Sequence, residues 1–167
     1  MYSQIGTQWI ARLEIEYLRR WYARATDLIG LNTEAGIAEG RAIYHRIFTP
    51  DARIAATAKG QEVFSATGPD AWVDVAAQAL APFGSTQHLI GTQLVSIETL
   101  PDASGKGGKA TMTSYLQAWH DAPDRLVDIF IGTYHDTVIT VPGKGWQIAA
   151  MELEQVAGQV TQRQAPA

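Results

Sequence analysis

The residues whose types could carry acid–base chemistry in this chain are four histidines and a carboxylate near the end of a helical pattern. His88 stands out. It lies in Thr86-Gln87-His88-Leu89-Ile90-Gly91, at the start of a strand-like run and on one strand face with Thr86 and Ile90. A desolvated imidazole needs a hydrogen-bond partner for each buried ring nitrogen. The plainer reading, which composition favours, is a structural histidine bonded to backbone. The sharper reading is a general acid/base oriented by a carboxylate. Asp27 is the natural carboxylate. A helix C-terminus favours cations, so an acid there needs compensation. Arg24 or Arg20 could supply it on the surface, where an ion pair contributes little, or His88 could supply it inside. An ideal wheel sets Asp27 opposite Leu18 and so favours the surface; Asp27 turns inward only if the helix ends or tightens near Thr26.

Other chemistries have little to stand on. His45, His88, His120 and His135 are too dispersed for metal-ligand spacing, and cysteine is absent. There is no Gly-x-Ser-x-Gly elbow, and Gly105-Lys106-Gly107-Gly108 lacks the spacing and Lys-Ser/Thr ending of a phosphate loop. No cofactor and no metal are expected. Tyr22, Tyr44, Tyr115, Trp119 and Tyr134 could line a pocket, with ordinary core as the alternative. His120 and Asp121 close their strand. Tyr134 and Asp136 share one strand face and His135 takes the other.

These residues belong to a chain of 167 residues, the size of one domain, with 46% apolar and 18% charged residues. The net charge of −4 comes without a basic stripe, which argues against nucleic acid as a partner. No apolar run approaches the roughly 18 residues of a membrane span, and the N-terminus lacks a signal-peptide pattern. A soluble cytoplasmic protein is the expectation.

The elements that must position the site follow from periodicity. Apolar residues recur at helical spacing from Gln8 to Ile29, with Ile10, Ala11, Ile15, Tyr17, Leu18, Trp21, Tyr22, Ala25, Leu28 and Ile29 on one face. Asn32 and Thr33 cap a second helix, Glu34 to Phe48. A short strand, Asp51 to Ala58, leads to a loop centred on Gly60, and Gly68-Pro69-Asp70 opens a third helix, Ala71 to Leu80. Strand-like runs follow over Thr86 to Leu100, Ala110 to His120, Leu126 to Val141 and Trp146 to Val156, separated by hairpin turns at 101–108 and 142–145. The chain beyond Gly158 is expected to be a frayed polar tail, leaving a single domain over 1–157. Helices first and consecutive strands afterwards predict an α+β fold, with helices packed on a curved, mostly antiparallel sheet. If the helices do not fill the concave face, a pocket remains. The open sheet edge predicts self-association as a dimer or trimer.

In order, several segments resemble the SnoaL-like group of the nuclear-transport-factor-like superfamily: Leu18 to Asp27 (Leu-x-x-x-Tyr-Ala-Arg-Ala-x-Asp), Phe48 to Ile54, Gly68 to Ala71, Thr86 to Gly91, Ser114 to His120, and Gly132 to Asp136 leading to Gly145-Trp146-Gln147-Ile148. The resemblance runs from about Trp9 to Leu153 and implies a cone-shaped α+β fold. The Thr-Gln-His-x-Ile-Gly segment looks most like that of the scytalone dehydratases. This implies an Asp27–His88 dyad that removes a proton to drive elimination, with His120 as a second active-site histidine and Tyr134 as a polar pocket residue. Tyr44, Trp119 and Tyr22 are carried as substrate-binding candidates. The water-polarising tyrosines of those enzymes fall near Thr26 and Ala56 here, so that apparatus is missing. About a dozen extra residues, Tyr44 among them, stand between Asp27 and Phe48. The function implied is a cofactor-independent lyase of dehydratase type on a cyclic or aromatic molecule. An isomerase or cyclase using the same dyad, or a non-catalytic binding or assembly domain, is the alternative.

Overall fold

A computed structural model describes residues 2–162. Three helices, α1 (Tyr2–Ile29), α2 (Glu34–Ile47) and α3 (Pro69–Leu80), lie over one six-stranded sheet. Its strands are β1 (Phe48–Ala58), β2 (Gln61–Thr67), β3 (Thr86–Thr99), β4 (Lys109–Ala122), β5 (Leu126–Val141) and β6 (Gly145–Gln162), in the order β2-β1-β6-β5-β4-β3. All neighbours are antiparallel except β1 and β6, so this is an α+β cone with a mostly antiparallel sheet. No helix among the described residues is long and apolar enough to cross a membrane.

The helices begin and end where their chemistry dictates. Thr33 caps α2 by accepting from the Gly36 N–H at 3.1 Å. Asn32 takes a left-handed conformation after α1, and its amide donates to the Gly30 and Leu80 carbonyls at 3.2 and 3.4 Å, tying the end of α1 to the end of α3. The core stripe of α1 is narrower than the periodicity predicts. Ala11, Ile15, Leu18, Tyr22, Ala25, Leu28 and Ile29 are buried, whereas Ile10, Tyr17 and Trp21 are exposed, because no second element covers that flank.

A different face of α1 does meet protein. The guanidinium of Arg12 donates to the Val95 carbonyl at 3.0 Å, Gln93 donates to the Glu16 carbonyl at 3.0 Å, and Arg20 donates to Gln93 at 3.2 Å. The polar stripe of the helix therefore lies along the open edge of β3, with Arg20 still partly in water. Arg20 pairs with Glu16 at 2.8 Å.

On the sheet, alternate residues face the helices. In β4 these are Ala110, Met112, Ser114, Leu116, Ala118 and His120, all buried. Their neighbours Tyr115 and Trp119 stand exposed on the outer face, at 54% and 44%. In β3 a bulge at Thr92 preserves the phase, so that Thr86, His88 and Ile90 before it and Val95 and Ile97 after it all turn inward. Two elements depart from the sequence expectation. β2 pairs with β1 through a Lys59-Gly60 turn with positive φ at both residues, and its largely exposed residues, with only Ala66 half-buried, give no alternation of burial to mark it. β6 continues through Gln162, with Gly158 opposite Phe130 and Gln162 opposite Leu126, so 158–162 is paired strand and not a frayed tail. Residues 163–167 of the expected tail lie outside the described residues.

α1 and α2 approach closely at two glycines. A Cβ on Gly36 would sit 2.4 Å from the Leu28 carbonyl oxygen, and one on Gly40 would sit 2.8 Å from that of Ala25. Backbone cannot yield as a flexible side chain can. Gly36→Ala and Gly40→Ala should therefore each destabilise by about 1–3 kcal/mol despite the gain in helix propensity. Gly6→Ala, with open space around it, should stabilise by about 0.5–1 kcal/mol. Denaturant titration checks the contrast, and equal effects at the three sites would refute the packing argument.

Candidate active site

Asp27 belongs to the same side of α1 as Arg12, Glu16 and Arg20, the side that runs along β3. Its carboxylate meets the first residues of that strand. Oδ1 lies 2.7 Å from His88 Nδ1 and accepts from the His88 backbone N–H at 3.1 Å and the Thr86 hydroxyl at 3.2 Å. Oδ2 lies 3.3 Å from the same N–H. The helix does not need to tighten for this, since the Gly30 N–H still bonds to the Thr26 carbonyl at 2.9 Å. What the approach requires is Gly30, where a Cβ would lie 2.6 Å from the Thr86 hydroxyl oxygen.

The His88 and Asp27 side chains are 7% and 20% exposed, so water does not dilute the contact. A carboxylate only accepts, which puts the ring hydrogen of the neutral imidazole on Nδ1 and leaves the Nε2 lone pair for another partner. His88 lines a hollow of about 330 Å³ between the helices and the concave face of the sheet. Most of the wall is apolar: Val63, Phe64, Val75, Leu80, Leu116 and Phe130 belong to it, and Ala56, Ala76 and Ala118 leave its room.

The polar groups cluster at one end because the strand register puts them there. Thr86, His120 and Asp128 are direct cross-strand partners on β3, β4 and β5. His120 lies edge-on to His88, with ring centroids 5.9 Å apart, and stacks on Phe83 at 4.6 Å. Its Nδ1 is 3.4 Å from Asp128 Oδ2, an ion-pair distance and not a well-formed hydrogen bond. Burial lowers the His120 pKa, the neighbouring His88 adds to this, and Asp128 only partly opposes it. The Phe83 segment is pinned by the Gly84 N–H on the Asp121 carbonyl and the Asp121 N–H on the Ser85 carbonyl, both at 2.8 Å.

Tyr22 and Tyr134 line the floor, edge to face at 5.5 Å. Burial raises the Tyr134 pKa well above that of a free phenol, so its hydroxyl is a neutral donor. Three residues offered for the pocket, Tyr44, Trp119 and Tyr115, are elsewhere, Tyr115 being exposed on the outer face of β4. Tyr44 is fully buried behind Tyr22, stacked on it at 5.2 Å, with its hydroxyl 2.7 Å from Thr26 Oγ1. It supports the wall and does not line it; the extra residues before Phe48 build α2, which carries it. Trp119 projects from the outer face of the sheet by strand alternation and cannot meet a ligand in the hollow. Conversely, Thr86, Phe83, Asp128 and Phe130 belong to the site, and sequence reasoning did not single them out. The parity of β5, which puts Asp128 and Phe130 on the face of Tyr134, was the available signal.

Comparison with known proteins agrees with this architecture. The sequence matches the SnoaL-like domain family over residues 40–152, a segment that includes His88, His120 and Tyr134 and begins after Asp27. No curated protein matches the chain. Among solved structures, the chain is similar to a candidate scytalone dehydratase from Novosphingobium aromaticivorans, with 22% identity and a TM-score of 0.70, covering 98% of this chain and 94% of that one. Hexachlorocyclohexane dehydrochlorinase LinA-type3 from Novosphingobium barchaimii shares 11% identity at a TM-score of 0.70, covering 96% and 98%. A protein of unknown function from Mycobacterium tuberculosis shares 19% identity at 0.65, covering 90% and 75%. At these identities the likeness is one of fold. With the family match spanning most of the chain, the protein belongs to the SnoaL-like domain family.

Proposed function

We propose that this protein is a cofactor-independent lyase that eliminates water, or a comparable leaving group, from a cyclic or aromatic small molecule. The observation that carries the proposal is the His88–Asp27 contact at the polar end of an apolar hollow. His88 Nε2 takes a proton from the carbon next to a carbonyl. The electron pair of that C–H bond forms the new double bond as the bond to the leaving hydroxyl breaks, and the His88 imidazolium returns its proton to the hydroxyl, which departs as water. Asp27 fixes the tautomer and stabilises the imidazolium. Tyr134 donates a hydrogen bond to the substrate oxygen on which negative charge develops, and His120 borders the same end of the hollow. Returning the proton to a different carbon would make the same dyad an isomerase. The candidate scytalone dehydratase and the dehydrochlorinase, both named for eliminations, support the lyase reading.

His88→Ala and Asp27→Asn should each lower turnover by about a hundred- to ten-thousand-fold with the circular dichroism spectrum unchanged. The assay is loss of water from a panel of cyclic hydroxyketones and reduced phenols, followed by mass spectrometry. Full activity in either variant would end the dyad proposal.

A second expectation concerns pH. Because burial lowers the His120 pKa, the unfolded chain takes up this proton first on acidification. The stability due to neutral His120 is complete above about pH 6.5 and is lost as pH falls below it. The gap in thermal midpoint between wild type and His120→Gln should therefore narrow between about pH 7.5 and pH 5. A constant or widening gap would show that His120 is not held neutral.

A further inference from the structure

Beneath the floor of the hollow lies an ion pair that the proposed chemistry does not use. Arg19, on α1, is completely buried and hydrogen-bonds Asp136 of β5, whose side chain is also fully buried. Stability does not account for it. A buried ion pair is commonly matched or bettered by apolar residues of similar volume. Here Arg19 Nε and Asp136 Oδ2 find no hydrogen-bond partner among the described residues, which adds to the desolvation cost. Burial opposes the charge on Arg19, but the Asp136 carboxylate more than restores it, so the guanidinium stays cationic in a region that salt cannot screen.

The cation is aimed at aromatic faces. Its central carbon lies 3.8 Å from the ring centroid of Tyr134 and 4.5 Å from that of Tyr22. Of the two rings, Tyr22 has its hydroxyl engaged by Trp72 Nε1 at 3.1 Å. Tyr134 lines the hollow, and its hydroxyl finds no hydrogen-bond partner among the described residues. When a phenol donates to an anionic oxygen, electron density moves into its ring. A cation on the ring face stabilises that shift.

We propose that Arg19 is a positioning residue for the oxyanion: held by Asp136 against the underside of the Tyr134 ring, it makes the Tyr134 hydroxyl a stronger donor to a phenolate- or enolate-like oxygen in the hollow. The inference rests on the reading of Tyr134 as a donor to substrate oxygen. It assigns the site a preference for ligands whose oxygen can carry negative charge in conjugation with a ring or double bond.

The test needs no substrate. 4-Nitrophenol absorbs at different wavelengths as phenol and phenolate, so its spectrum when bound reports the ratio of the two forms. Wild type should bind it enriched in phenolate, and His120→Trp, which fills the hollow, should abolish binding. Arg19→Met with Asp136→Leu should keep a cooperative thermal transition while lowering the bound phenolate-to-phenol ratio roughly tenfold. Arg19→Gln with Asp136→Asn, which keeps a polar pair without charge, should do the same. In a Tyr134→Phe background neither double variant should move the ratio further. An unchanged ratio in the double variants, or a shift that persists without the Tyr134 hydroxyl, would overturn the role of Arg19 and leave the dyad standing. Loss of the folded state in both double variants would overturn it too, by making the pair structural. Failure of wild type to bind 4-nitrophenol in the hollow would remove the Tyr134 reading together with the inference.

Discussion

A single carboxylate joins the helical layer to the chemistry of the sheet. Asp27 gathers a hydroxyl, a backbone N–H and a ring nitrogen, all from Thr86 and His88. The backbone N–H belongs to β3, an edge strand, so the carboxylate satisfies a donor that no neighbouring strand reaches. The same three contacts answer the electrostatic objection to an acid at a helix C-terminus, since charge-assisted hydrogen bonds outweigh an interaction with the helix dipole that is typically well under 1 kcal/mol. Gly30 sets the distance: any side chain there would push the end of α1 off Thr86 and carry the carboxylate with it. Geometry at the dyad is thus inherited from helix–strand packing and does not rest on a mobile loop.

The same cone is a packed core at one end and a hollow at the other, and side-chain size decides which. Ile15, Ile29, Tyr44, Phe48 and Ile148 fill the space between α1, α2 and the sheet. Beyond them Ala56, Ala76 and Ala118 stand where larger residues would close the gap, and Gly132 admits Phe130 and Leu153, whose atoms lie 2.8 and 2.9 Å from where its Cβ would be. Leaving such space forfeits dispersion contacts. The polar residues that border it are held by the strand ladder, so three neighbouring strands present His88, His120 and Asp128 in fixed relation.

The architecture was legible in sequence because it rests on periodicity, which a single chain displays. Three helices, five of the six strands and both later hairpins follow from spacing and turn residues; β2 does not, since a short and largely exposed edge strand shows no clear alternation. The site was legible as two residues and blurred around them. His88 follows from strand parity with Thr86 and Ile90. Asp27 does not follow from the wheel, which divides a helix into core and solvent and has no category for a polar stripe lying against a strand edge. Tyr115 and Trp119 show the converse error: aromatic character suggested a pocket, whereas the parity of β4, already fixed by Ala118 and His120, placed them outside. The Arg19–Asp136 pair joins residues more than a hundred positions apart, and although helix spacing and strand parity set each beside buried residues, nothing local pairs the two.

The site holds two carboxylate–imidazole pairs, and their differences divide the labour. Asp27 meets His88 at 2.7 Å and is itself fixed by backbone, so this imidazole is oriented and its positive form has a partner. Asp128 stands 3.4 Å from His120, is itself 34% exposed, and does not overcome the burial that keeps His120 neutral. With the rings 5.9 Å apart, a charge on one imidazole disfavours a charge on the other. Asp27 gives the His88 ring a close hydrogen-bond partner. Under the proposed elimination, a proton on His88 raises the cost of protonating His120. Two like residues in one apolar wall thus stand in different electrostatic settings, His88 fixed by its carboxylate and His120 held toward the neutral form by burial.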